Sequence, residues 1–176
     1  EEFFPNASVI AHELTLHRIH TKLKKVPLSS NSKFTIGSES IEFLFTPGHT
    51  DGHGMLYHPT TGVLVAGDHI VGFGSAVLDL ECGDMSQYFE TTHQLIQLSP
   101  KVALPEHGPP NYQPVTLLKQ YIEHRTQREK AIYEAYMNGH HSLDDIVKVV
   151  YVDVPPMMWN VAKSNVGLHL RKLQKE

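Results

Sequence analysis

Apolar and polar positions alternate with a period of two over 41–45, where Ile41, Phe43 and Phe45 share one face and predict a half-buried strand. Two later runs, 63–67 and 102–105, are short and continuously apolar, and they predict two more strands. Each of the three ends at a turn signal and then a side chain capable of chemistry: Pro47-Gly48 before His49, Gly67 before Asp68, and Pro105-Glu106 before His107. Residues 34–36 join 41–45 through Gly37-Ser38-Glu39-Ser40 as a hairpin. Residues 55–58 join 63–66 through Pro59-Thr60-Thr61-Gly62 as a second. Upstream, 7–23 mixes Val9, Ile10, Leu14 and Ile19 with His12, His17 and His20, a short strand followed by a helix. A glycine-studded loop over 71–83 is long enough to border a pocket or simply to connect.

Beyond this loop the period lengthens to that of helices. Asp84 is placed to cap a helix with Tyr88, Phe89, Leu95, Ile96 and Leu98 on its core face, ended by Pro100. A long helix follows over 115–138, stopped by Gly139, with Leu118, Tyr121, Ile122, Ile132 and Tyr136 inward. Its charged middle, His124-Arg125 and Arg128-Glu129, reads as solvated ion pairs. Ser142, with Asp145 at the capping-box distance, starts a helix striped by Leu143, Ile146, Val147 and Val150. The last helix, 157–173, is expected to bury Trp159, Ala162, Val166, Leu170 and Leu173 and to display Lys163, Arg171 and Lys172, with Lys175 beyond. The predicted organisation is a partial α/β domain over 1–114 and a small helical, winged-helix-like domain over 115–176 without its wing.

Composition narrows the chemistry. A formal charge of -4 over 176 residues gives no global basicity for nucleic acid, so any such binding must be local. The single Cys82 forms no internal disulfide and excludes a cysteine-cluster metal site. No window approaches the roughly 18 apolar residues of a membrane span, so no membrane partner is expected. No signal or transit segment is visible.

Thirteen histidines are the compositional oddity. Strand ends delivering His49, Asp68 and His107 to one rim would give two imidazoles and a carboxylate, a donor set suited to zinc, manganese or iron. Around them, His53 and His69 either touch substrate or are oriented by local hydrogen bonds, and Asp51 either joins them or bonds its own turn. His17 and His20, three apart, are placed to share a helix face, although Arg18, Lys22, Lys24 and Lys25 describe a solvated basic surface. His140-His141 read as a solvated loop, and Cys82 as an ordinary loop thiol.

Thr-Pro-Gly-His-Thr at 46–50, Gly-Asp at 67–68 and His-Gly-Pro at 107–109, with 19 residues from His49 to Asp68 and 39 from Asp68 to His107, resemble the ordered signature of the metallo-β-lactamase superfamily. The run 123–129 and the tail 165–173 resemble the β-lactamase-like protein 2 group. That resemblance implies an αββα sandwich followed by a winged-helix-like domain and a two-metal hydrolase, with zinc at both positions. In it His49 binds one ion, His107 the other, and Asp68 bridges them. The implied chemistry is attack of a metal-activated water on a phosphodiester, ester or thioester. Animal relatives imply an endoribonuclease on single-stranded RNA, in mitochondria or cytoplasm; fungal relatives imply a thioesterase, and a glyoxalase-type hydrolase is a further alternative. The family's first ligand block, His-x-His-x-Asp-His, with its water-orienting Asp, is expected upstream of Glu1, which makes this chain part of a larger protein, inactive without that block. Glu106 stands where relatives carry Gly. A remnant scaffold binding RNA through the basic last helix is the non-catalytic alternative. With an N-terminal half of the sandwich missing, the strands near Ile41 and Val63 are expected to lack neighbours and to leave an apolar face bare, making the isolated chain marginal, oligomeric or aggregation-prone.

Overall fold

The computed structural model describes residues 3–30, 32–72 and 74–175; Glu1, Glu2, Asn31, Phe73 and Glu176 lie outside the described residues. Strand β1 (Ser8–His12), helix α1 (Glu13–Arg18) and strand β2 (Lys24–Leu28) form a small unit in which the two strands pair in parallel. The sequence reading missed β2, because Lys24-Lys25 and Pro27 argue against a central strand. An edge position, where few ladder bonds are required, tolerates all three. Helix α1 stops at Arg18 because Ile19 turns extended (φ -83, ψ 120). His20 therefore lies past the helix, and the shared helix face expected for His17 and His20 does not form.

The main sheet runs β3 (Lys33–Ile36), β4 (Glu39–Phe45), β5 (Gly54–His58), β6 (Val63–Gly67), β7 (Val102–Pro105), in sequence order. The first three pairings are antiparallel and β6–β7 is parallel. It follows that β4, β6 and β7 point the same way, so that His49, Asp68 and His107 leave the sheet at one edge. The expected edges at Ile41 and Val63 are both covered: β4 lies between β3 and β5, and β6 between β5 and β7. The pleat nevertheless gives the sheet two unlike faces. Met55, Leu64, Ala66 and Ala103 pack against Leu95 of α2 (Met85–Leu98) and Leu118 and Tyr121 of α3 (Pro114–Met137). The cross-strand row Leu56, Val65, Leu104 lies opposite, and Val65 there is 44% exposed.

Helix α2 begins where Asp84 accepts a hydrogen bond from the Gln87 amide (3.0 Å), and it ends at Ser99 in a left-handed conformation before Pro100. Helix α3 belongs to two cores. Its first half seals the sheet; its second half carries Ile132 and Ala135 into a cluster with Ile146 and Val147 of α4 (Leu143–Val150) and Ala162 and Val166 of α5 (Trp159–Leu173). A third cluster seats Leu168 of α5 against Ala76, Leu78, Met85 and Tyr88. Full burial of one such leucine contributes about 2 kcal/mol, so the C-terminal helices are bound to the sheet unit through α3 and through Leu168. Among the described residues no helix is long and apolar enough to cross a membrane.

The charged middle of α3 corrects the reading of solvated pairs. Leu118, Tyr121, Arg125 and Ile132 fall on one helical stripe, and the packing of α2 and α5 over it leaves Arg125 only 4% exposed. Arg125 donates to the Ala76 carbonyl (2.7 Å) and lies over the Tyr88 ring. Glu129 accepts from His169 (2.9 Å) and Lys172 (2.8 Å) of α5.

Candidate metal centre

The turn after β4 is held at both ends of its backbone. Thr46 donates its amide to the His53 carbonyl (3.0 Å), while the His49 and Gly48 carbonyls accept from Asp79 (2.9 Å) and Asp84 (3.0 Å). Gly48 has φ +130, and a Cβ there would stand 2.4 Å from the Tyr88 Cα on α2, so only glycine lets the turn lie against that helix. The outcome is a fixed direction for His49 as it leaves the strand.

His49, Asp68 and His107 converge as the strand ends foretold. His49 Nε2 is 3.8 Å from Asp68 Oδ2, and His107 Nε2 is 3.5 Å from Asp68 Oδ1. The carboxylate thus lies between the two imidazoles, one facing each oxygen. His107 is 76% exposed and His49 19%. They line a cleft of about 520 Å³ with Val71, Ser75, Ala76 and Val77 of the glycine-studded loop, which therefore borders a pocket. Burial lowers the pKa of His49, outweighing the opposing pull of Asp68, and this favours the neutral imidazole that a metal requires.

Two further histidines stand behind the rim. His53 has a pKa pushed down to about 4, first by burial and then by neighbouring His49. Its Nδ1 lies 2.8 Å from the Thr46 hydroxyl and 3.1 Å from the Thr46 carbonyl, while Nε2 is buried without a partner. Gly67 (φ +52) makes room for that ring, since a Cβ there would lie 2.7 Å from His53 Nε2. His69, fully buried, is hydrogen-bonded through Nε2 to the Thr92 hydroxyl (2.9 Å) and stacks on Tyr88, so local bonding orients it. Asp51 bonds within its turn to the Gly52 backbone and beyond it to Arg18 of α1, which takes both its oxygens at 2.6 and 2.7 Å as α1 packs across the turn through Thr15 and the Gly52 carbonyl. Cys82 donates its thiol to Asp79, His141 packs edge-on against Tyr136, and Glu106 is exposed at the rim.

The chemistry of these donors fits a metal in part. Asp68 Oδ1 is buried without a hydrogen bond, and two imidazoles face one carboxylate. Among the described residues, however, no three His, Cys, Asp or Glu side chains close around one point. What the described residues show is one carboxylate with an imidazole facing each of its oxygens.

The fold and this rim define a class. The metallo-beta-lactamase superfamily pattern matches residues 4–107, and the beta-lactamase associated winged helix domain matches 142–176. The chain belongs to the metallo-beta-lactamase superfamily. It is 35% identical over 161 residues to the beta-lactamase-like protein 2 homolog of Drosophila melanogaster, an alignment covering 90% of this chain and 53% of the relative. The chain thus spans about half the length of that relative. In fold it resembles a metallo-beta-lactamase family protein from Thermus thermophilus (TM-score 0.75, 21% identity, 93% of this chain and 54% of the other). It also resembles TTHA1623 in a di-iron-bound form (TM-score 0.53, 23% identity, 62% of each chain). At these identities the likeness to solved structures concerns fold alone.

Proposed function

We propose that this chain supplies part of the dinuclear centre of a metal-dependent hydrolase, with His49 and His107 as ligands to separate ions and Asp68 as the carboxylate shared between them. The observation that carries this reading is the convergence of three strand ends on Asp68, with its buried, unbonded Oδ1. Zinc is the proposed ion; manganese and iron suit the same donors, and the di-iron form of TTHA1623 lends iron some weight. When bound, such ions supply an activated water and stabilise developing oxyanion charge. The chain's own part is to hold the donors: the clamped turn fixes His49, and Gly67 seats His53 behind it. We extend this reading to an endoribonuclease acting on single-stranded RNA in the complete protein, on the resemblance of 123–129 and 165–173 to the β-lactamase-like protein 2 group.

The non-catalytic alternative, RNA binding by the last helix, draws little support from that helix. Lys163 pairs with Asp144 (2.5 Å), Lys172 with Glu129 and Lys175 with Asp84 (both 2.8 Å), and Arg171 donates to the Leu80 carbonyl (3.0 Å). Calorimetric titration with zinc tests the ligand assignment: Asp68→Asn is expected to weaken binding by at least about tenfold. Unchanged zinc affinity in that variant removes the hydrolase reading. A zinc-loaded protein that hydrolyses a thioester and leaves single-stranded RNA intact removes the RNA assignment alone.

A further inference from the structure

A second, larger cavity of about 600 Å³ opens between α3, the segment after α4, and α5. Its size is that of a small-molecule site. Arg125 and Arg128 lie in its wall with a single carboxylate, Asp153, and Tyr121, Tyr151 and Val161 provide apolar surface. Ser75 lines both this cavity and the cleft of the candidate metal centre, so the two are neighbours across one residue.

Arg125 is the unusual member. Nη2 donates to the Ala76 carbonyl, Nη1 makes a 3.8 Å contact with the Met85 sulfur, and the guanidinium covers Tyr88. No carboxylate among the described residues lies within ion-pair distance, and its Nε is buried without an acceptor. A cation so buried without a counter-charge is expensive unless an anion completes it. Asn165, also in the wall, has a buried amide oxygen with no donor. Arg128 is held in place over the Tyr151 ring (4.2 Å) by the Val150 carbonyl, with Asp153 at 3.5 Å as a weak partner. Two guanidinium groups against one carboxylate, paired to Arg128 alone, leave the cavity with a surplus of positive charge, and guanidinium is the group that best grips phosphate oxygens.

We propose that this cavity binds a phosphate ester, its phosphate drawn by Arg125 and Arg128 and its apolar or aromatic portion against Tyr121, Tyr151 and Val161. That such a ligand extends past Ser75 to the His49–Asp68–His107 rim rests on the hydrolase reading; the phosphate pocket does not.

The test is calorimetry on the full chain treated with a chelator, using adenosine monophosphate, hexyl phosphate and inorganic phosphate as probes. At least one ester binds more tightly than inorganic phosphate, and the stronger of the two identifies an aromatic or an aliphatic partner. Arg128→Gln weakens the ester about tenfold or more, and Asp153→Asn, which removes the competing carboxylate, tightens it. Because Arg128 also holds the Val150 carbonyl, the Asp153 variant keeps the test decisive should Arg128→Gln unfold. No ester binding, or ester binding unchanged in both variants, overturns the proposal. Binding that requires zinc and is lost in Asp68→Asn places the phosphate at the rim and overturns it equally. Zinc affinity unchanged in Asp68→Asn, with ester binding intact, defeats the hydrolase reading alone.

Discussion

The polar side chains around Glu129 and those around Asp68 differ in their bonding. Around Glu129 the acid meets Lys172 and His169 at hydrogen-bond distance, and all three side chains are at most 15% exposed. Around Asp68 the contacts are longer, 3.5 and 3.8 Å, and Asp68 Oδ1, His53 Nε2 and His69 Nδ1 are buried with no partner. Folded chains pair nearly all buried polar atoms, so a local concentration of unpaired ones needs a reason. The first cluster is complete and holds α3 to α5. The second leaves polar atoms unpaired, which is the feature the proposed metal site draws on.

The largest expected effect concerns the scaffold that separates the two. Gly48→Ala places a methyl 2.4 Å from the α2 backbone at φ +130. Strain and overpacking together are expected to cost about 4 kcal/mol. Denaturant unfolding measures it, and a loss under about 1 kcal/mol would mean the turn is not pinned to α2.

Glu129→Gln comes next. It removes the charge of a carboxylate that is 15% exposed and accepts from both His169 and Lys172, with an expected loss of about 3 kcal/mol. The same variant alters the pH profile. Burial pushes the Glu129 carboxyl up, but hydrogen bonds from His169 and Lys172 outweigh it and hold the pKa below 4.5. A depressed acid contributes stability that is fully present above pH 4.5 and is lost as pH falls through the folded value. Burial likewise lowers His169 below 6.5 despite Glu129, so the imidazole is neutral near pH 7 and donates Nδ1–H to the carboxylate. Its contribution has the same sign, present above pH 6.5 and declining on acidification. Melting temperature is therefore expected to fall from pH 6.5 downward, with a shallower fall in Glu129→Gln below pH 4.5. Identical slopes would place the acid sensitivity elsewhere.

The incomplete cluster was legible in the sequence and the complete one was not, for a physical reason. His49, Asp68 and His107 each follow a strand by a few residues, and the parity of strand directions puts all three on one edge. Local patterns settle that much. Glu129 and His169 are 40 residues apart, as Arg18 and Asp51 are 33 apart, and their pairing depends on how helices dock. One signal was present for Arg125: it lies seven residues after Leu118 and four after Tyr121, on the inward stripe. A cation on such a stripe must find partners inside. The strand β2 was hidden by its lysines and proline, which an edge strand accommodates.

The smallest effect expected is also the sharpest separation of the clusters. Asp68→Asn keeps the shape of the side chain and removes the charge that faces His49 and His107. If the rim is arranged for a ligand, its unpaired atoms detract from the stability of the metal-free fold. Replacing the carboxylate should then leave metal-free stability within about 1 kcal/mol of the parent, or raise it, while zinc ceases to increase the melting temperature. In the parent, zinc is expected to raise the melting temperature by binding the folded chain preferentially. A loss as large as that of Glu129→Gln, with the zinc effect retained, would make Asp68 a structural acid like Glu129 and erase the distinction between the two sites.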